Sequence, residues 1–404
     1  MGKPLEGIKV VEVAMWAFVP VAGGMLSDLG ADVIKVEPPT GDPIRGLQIG
    51  GTEGGKRQLD YSWESYNRGK RSITLDLKQE AGRAVLMKLL EDADVFITNL
   101  LPPARRSMGI DADTLRAAFP KLIYASGSAS GPNGPEGEKG GYDAITFWAR
   151  GGVSSSVTED GAERPVGPPG PAFGDSLSGS MLAGAVSAAI AKRAMTGEAS
   201  EVDVSLLGTA MWSMQRFIAQ ATDNDILKFP RPADMKPYNV LVHNYATSDG
   251  RFVALCMLQA DKYWARFCEV AGRPDLAADP RYASASARRE NLDACFTDVK
   301  ALFASKTLAE WKAILKQQDG QWDVVQHVGE MKDDVQVQAN HYLQRVNYGD
   351  GTEVPLVSVP MLFDRQALPT RRSPGLGADS DAVLEGLGYS EDEIIDLKVQ
   401  GVVF

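Results

Sequence analysis

The first third of the chain alternates short apolar runs with longer amphipathic segments. GIKVVEV (7–13) is rich in β-branched residues, and PVAGGMLSDLG (20–30) follows as a helical segment with a glycine stop. ADVIKVE (31–37) is a second strand, ended by Pro38 and Pro39. A less regular stretch leads to KRSITLDL (70–77). QEAGRAVLMKLLEDA (79–93) then places Ala84, Val85, Leu86, Leu89 and Leu90 on one helical stripe. ADVFITN (93–99) and KLIYASGSA (121–129) supply two more strands. Strands that are apolar nearly throughout, separated by helices, predict a mostly parallel sheet covered on both faces, a Rossmann-like α/β architecture. The segment after the first strand, AMWAFVPVAGG, cannot be read as GxGxxG, so NAD binding loses its main support.

Further on, GGYDAITFWARGGVSSSV leads through the Gly/Pro-rich GPPGPAFG into SLSGSMLAGAVSAAIAKRAM (176–195). This is a helix whose small residues permit close approach of another backbone. EVDVSLLGTAMW (201–212) resumes the apolar pattern. Composition changes near RPADMKPYNV (231–240), where a smaller α+β region begins. Its FVALCMLQADKYWARFCEVAG reads as strand then helix, and LDACFTDVKALFASKTLAEWKAILKQQ as two helices. VPLVSVPMLF (354–363) is β-like, and the last residues form a helix pair. The expected division is a large Rossmann-like domain at 1–225, a smaller α+β domain at 226–345, and a C-terminal segment, 346–404, returning to the large domain.

A formal charge of −11 argues against unspecific binding to nucleic acid or an anionic membrane. No run of 18 apolar residues predicts a membrane span, and the N-terminus reads as the start of a fold and not as a signal peptide. Cys256, Cys268 and Cys295 lack metal-site spacing and are expected to be buried free thiols in a reducing, cytoplasmic compartment. Three scattered histidines, His243, His327 and His341, do not suggest a metal centre.

The stretch FGDSLSG (173–179) puts Asp175 between a glycine and the small-residue helix. Its local chemistry is that of a helix N-cap. The same geometry, with Gly174 and Ser176 leaving room for a reactant, suits a carboxylate nucleophile. The ordered set LEGIKVVEV, LSDLGADVIKVEPPTGDPIR, NRGKRSITLDLKQEAGR, LLEDADVFITN, KLIYASGSASGPNGP, GYDAITF, FGDSLSG and TGEASEVDVSLLGTAM resembles the class III CoA-transferases, a family that also includes α-methylacyl-CoA racemases. DPRY (279–282) and the closing SPGLGADSDAVLEGLGYSEDEI resemble the family's later parts.

That resemblance implies an enzyme moving CoA from an acyl-CoA to a small carboxylic acid, with Asp175 as acyl acceptor and no metal, NAD or ATP. It also implies an interlinked, ring-like homodimer. The phosphates of CoA call for cations, and Arg45, Arg68, Lys70 and Arg71 are candidates. The family's CoA groove maps onto Leu75, Asp76, Leu77 and Lys78, then Asn99, Leu100 and Leu101, with Arg106, Gly141 and Tyr142. Formyl-CoA transferases carry a glutamine where this chain has Ala17, and an arginine where it has Pro38. They also have an arginine where this chain has Ser107, and a glycine-rich flap that YATSDGRFVALCM lacks. Formate and oxalate are therefore disfavoured. Trp16, Ala17, Phe18 and Trp148 are candidates for a roomier apolar acyl site. The racemase alternative needs a GHD-like histidine where this chain has Tyr142, a poor proton-exchange group at neutral pH. A non-catalytic CoA-binding regulator, which would not require Asp175, is the alternative of another class.

Overall fold

The computed structural model describes residues 2–47, 59–349 and 351–404. The irregular stretch between the second and third strands includes 48–58, which lie outside the described residues. The chain divides into two compact units, one of 1–231 with 336–404 and one of 232–335.

In the first unit the apolar runs become β1 (Lys9–Val13), β2 (Asp32–Glu37), β3 (Arg71–Thr74), β4 (Val95–Thr98) and β5 (Ile123–Ser128). The segment at 201–212 splits into β6 (Glu201–Ser205) and a helix. All six strands run parallel in the order β3-β2-β1-β4-β5-β6. The Rossmann-like parallel sheet expected from the alternation is present. Alternate strand residues feed two cores, as the period of two requires. Val10, Val33, Val95, Ile97, Ile123 and Ala125 face α1 (Phe18–Asp28) and the long small-residue helix. Val11, Val13, Ile34, Val36, Phe96 and Tyr124 face α3 (Glu80–Leu90) and the helices at Ser380–Gly386 and Glu391–Val399. Between them in the chain, α2 (Tyr61–Tyr66) begins at Asp60, whose side chain accepts the Trp63 N–H.

Three further helices, α4 (Pro102–Met108), α5 (Ala112–Ala118) and α6 (Val153–Val157), come before α7 (Phe173–Thr196), which precedes β6 and α8 (Leu206–Ser213). α7 starts three residues earlier than the spacing predicts and takes FGD into its first turn. Its glycines act by contact. A Cβ on Gly179 would lie 2.6 Å from the Phe18 carbonyl oxygen, so the small residue lets α7 lie against α1.

The second unit carries an antiparallel sheet, β7 (Val242–Ala246), β8 (Phe252–Cys256) and β9 (Trp322–Val324), packed with helices around Trp264, Phe267, Phe303 and Trp311. Cys268 and Cys295 are buried there, but Cys256 is exposed. This corrects the expectation for that thiol: burial alternates along β8, and residue 256 falls on its outer face. No helix among the described residues is long and apolar enough to cross a membrane.

Candidate active site

The strand order reverses between β1 and β4, and an open α/β sheet presents its ligand crevice beyond the strand C-termini at such a point. A cavity of about 830 Å³ lies there. Met15, Trp16 and Phe18 follow β1 onto its wall, Asn99, Leu100 and Leu101 follow β4, and Ser128 ends β5. The two sides of the switch are tied by Asn99, whose Oδ1 accepts the Met15 N–H at 2.9 Å while its Nδ2 donates to the Met15 carbonyl at 2.6 Å.

Asp175 lies on this wall. It is not the helix N-cap, which corrects the capping alternative. Ala172, at φ 55°, holds that position, and Asp175 is the third helical residue. Among the described residues its carboxylate makes no hydrogen bond or ion pair. Burial, followed by the charge of nearby Asp143, raises its pKa to about 7. The helix N-terminus favours the anion, but the balance runs the other way.

Asp143 completes the arrangement. It is buried, and its Oδ2 accepts the Gly174 N–H at 2.9 Å, while Oδ1 has no partner among the described residues. Burial raises its pKa too, opposed by the amides at the start of α7. The Gly174 N–H is therefore already engaged by a carboxylate. A Cβ on Gly174 would lie 2.3 Å from the Phe147 ring and 2.6 Å from Asp143 Oδ1, which explains the glycine before Asp175. Phe147 belongs to a π-helix, Ala144–Arg150, a rare element often found at functional sites. Tyr66 lies near enough for Asp175 to act on it: burial first, then that carboxylate, push its hydroxyl to about 12.

The structure gathers only part of the expected residue set at the cavity. Trp16, Phe18, Asn99, Leu100, Leu101, Arg106, Gly141 and Tyr142 line it with Asp175. Trp16 and Tyr142 meet edge to face at 5.8 Å. Ala17 and Trp148 do not line it: Ala17 packs with Ile44 and Trp63, and Trp148 donates to the Val166 carbonyl at 2.7 Å. Arg45, Arg68, Lys70 and Arg71 lie on the β2–β3 side and each meets a carboxylate. Arg45 grips Glu37 with two bonds of 2.8 Å and lies over the Trp63 ring. Arg68 Nε is 2.7 Å from Asp28, and Arg71 Nε donates to Asp32 at 3.0 Å. Lys70 is wholly buried 2.7 Å from Glu12, and burial lowers its pKa to about 8. Past β3, Leu75 is buried and the Asp76 N–H donates to the Val402 carbonyl at 2.9 Å. Leu77 packs against the same core and Lys78 is exposed.

Two wall or near-wall residues were not singled out from sequence. Arg105 lines the cavity, its Nη1 donating to the Tyr124 hydroxyl at 3.2 Å and its Nε buried without a partner among the described residues. Its neighbour Arg106 also lines the cavity but is exposed and pairs with Glu138, and helical spacing alone did not say which of the two is half-buried. The second is Asp143, whose signal was the aspartate of GYD, the phrase weighed only for racemase chemistry.

A parallel sheet with a carboxylate in a crevice at its switch point defines an α/β protein with a candidate active site and no dinucleotide fingerprint. Sequence comparison makes the class specific. The profile described as CoA-transferase family III matches residues 5–380, and the chain belongs to that family. It is 34% identical over 402 residues to (R)-2-hydroxy-4-methylpentanoate CoA-transferase of Clostridioides difficile, covering 99% of each chain. It is 33% identical to cinnamoyl-CoA:phenyllactate CoA-transferase of Clostridium sporogenes, covering 97% of this chain and 95% of that one. A solved structure of a CAIB/BAIF family protein from Brucella suis matches with a TM-score of 0.82 at 29% identity, covering 96% and 100% of the two chains. The expectation of a class III acyl-CoA:carboxylate CoA-transferase is met.

Proposed function

We propose that the chain transfers CoA from an acyl-CoA to a carboxylic acid with a branched or aromatic side chain, through covalent intermediates on Asp175. The observation that carries this is the unpaired Asp175 carboxylate on the cavity wall at the switch point. An Asp175 oxygen attacks the thioester carbonyl and the C–S bond breaks, giving an aspartyl–acyl anhydride and CoA thiolate. The thiolate attacks the aspartyl carbonyl, the anhydride C–O bond breaks, and the donor acid leaves as carboxylate. The acceptor carboxylate then attacks the aspartyl-CoA thioester, releasing thiolate, which attacks the acceptor acyl carbon and frees Asp175. Each intermediate keeps its activation, so the cycle needs no ATP, NAD or metal step.

Asn99, Leu100, Leu101, Gly141, Tyr142 and Arg106 are proposed to hold CoA, joined by Arg105, whose buried Nε is a free donor toward an anion. The aromatic wall of Trp16 and Tyr142 supports a bulky acyl group, in keeping with relatives named for 2-hydroxy-4-methylpentanoate and for cinnamoyl and phenyllactate groups. As the family resemblance implies, the working form is taken to be a homodimer.

The test incubates the protein with a panel of acyl-CoA donors, including cinnamoyl-CoA, and acceptor acids in deuterated water. CoA appearing on the acceptor, with no deuterium at the donor α-carbon, supports transfer. Deuterium at that carbon without exchange of CoA supports racemization and refutes the proposal. CoA binding without either change, equal in wild type and Asp175→Asn, supports the regulatory alternative.

A further inference from the structure

Trp16 has a backbone conformation that a bulky side chain rarely takes, φ +68°. Something must hold it there. Its N–H donates to Asp42 Oδ1 at 3.0 Å, and the same oxygen accepts the Ile44 N–H at 3.0 Å. The other Asp42 oxygen lies 2.9 Å from Lys35 Nζ. Lys35 in turn donates to Glu12 Oε1 at 2.9 Å and to the Ala14 carbonyl at 2.8 Å, and Lys70 lies 2.7 Å from Glu12 Oε2. The two cations and two anions balance, and all four are buried. Gly23 makes room for them, since a Cβ there would fall 1.9 Å from Glu12 Oε2. None of the four lines the cavity; Trp16 does.

We propose that Asp42 is a positioning residue for acyl selectivity. Its carboxylate, anchored on one oxygen by Lys35, presents the other to the Trp16 amide. That bond keeps the indole upright against Tyr142, as the wall that receives a bulky apolar or aromatic acyl group. This rests on the CoA-transferase reading of the cavity. The charge matters because a carboxylate offers an acceptor in both directions. An amide has one oxygen, which must serve either Lys35 or Trp16.

Two charge-balanced double variants separate positioning from simple stability. Lys35→Met with Asp42→Asn keeps an acceptor for Trp16, and Lys35→Met with Asp42→Ala removes it; both leave the Glu12–Lys70 pair intact. The probes are two unreactive thioethers, S-(3-phenylpropyl)-CoA and S-ethyl-CoA, measured by calorimetry, together with hydrogen exchange at the Trp16 amide. Wild type and the Asn variant should prefer the phenylpropyl probe by about tenfold or more, the range that a few buried methylene groups supply. The Ala variant should bind both within about threefold of each other and exchange the Trp16 amide at least about 30-fold faster. Full preference and full amide protection in the Ala variant would overturn the proposal, as would equal wild-type affinity for the two probes. If wild type bound neither thioether, the CoA reading would fall, while exchange at Trp16 would still decide whether Asp42 holds that residue.

Discussion

Asp175 and Glu12 are both carboxylates at the C-terminal end of one parallel sheet, Glu12 fully buried and Asp175 half-buried on the cavity wall, yet the fold treats them in opposite ways. Glu12 sits between two lysines at 2.9 and 2.7 Å, inside a cluster whose charges cancel. Among the described residues Asp175 pairs with no cation. Its neighbour is another carboxylate, Asp143, and its pKa is raised to about 7. A buried charge that is paired and hydrogen-bonded can serve as framework, whereas a carboxylate left unpaired at a cavity wall with a raised pKa is a candidate reactive group. The paired cluster ends on the Trp16 amide, and Trp16 and the unpaired carboxylate both line the cavity.

The contrast breaks hardest at Asp175 itself. Asp175→Asn should lower transfer by at least about 10⁴-fold, the scale on which removing a covalent nucleophile acts, with CoA binding retained; steady-state assays and calorimetry check both halves. Glu12→Gln should instead cost stability, about 3–5 kcal/mol in urea unfolding, because Lys70 loses its carboxylate in a dry site. Gly174→Ala keeps every charge but pushes its Cβ into Phe147 and Asp143. It should reduce kcat by about 10²-fold, as small misplacements of a reactive group do, with the fold intact by circular dichroism.

The pH dependence sharpens the comparison with the smallest effect. Only ionised Asp175 can attack, so kcat/KM should fall along an acid limb near pH 7, about tenfold for each unit below it. Because Asp143 is one of the two groups raising Asp175, Asp143→Asn should move that limb toward lower pH. A limb that stays at the usual carboxylate range in the wild type would show that Asp175 is not held as described.

The sheet was legible because its signal is local. The apolar runs at 7–13, 31–37, 93–99 and 121–129 each became a strand, and the glycine after the first helix ended it. Asp175 was legible through its phrase, and its setting at the strand ends followed from topology. What sequence could not supply was pairing across distance. Arg68 meets Asp28 and Arg45 meets Glu37 only once the sheet has formed, so their charges looked free for phosphate. The left-handed Trp16 and the π-helix at 144–150 are imposed by tertiary contacts, which no residue preference announces. Cys256 departed from expectation through the half-exposed face of an antiparallel strand, where alternation and not residue type decides burial.

The central claim, that Asp175 carries the acyl group and then CoA, is tested most directly by trapping. The protein is incubated with cinnamoyl-CoA and further acyl-CoA donors, quenched with hydroxylamine, digested and mapped by mass spectrometry. A hydroxamate on the peptide bearing Asp175, absent from Asp175→Asn, is the predicted result. Turnover of CoA onto an acceptor acid with that peptide unmodified at every time point would contradict it.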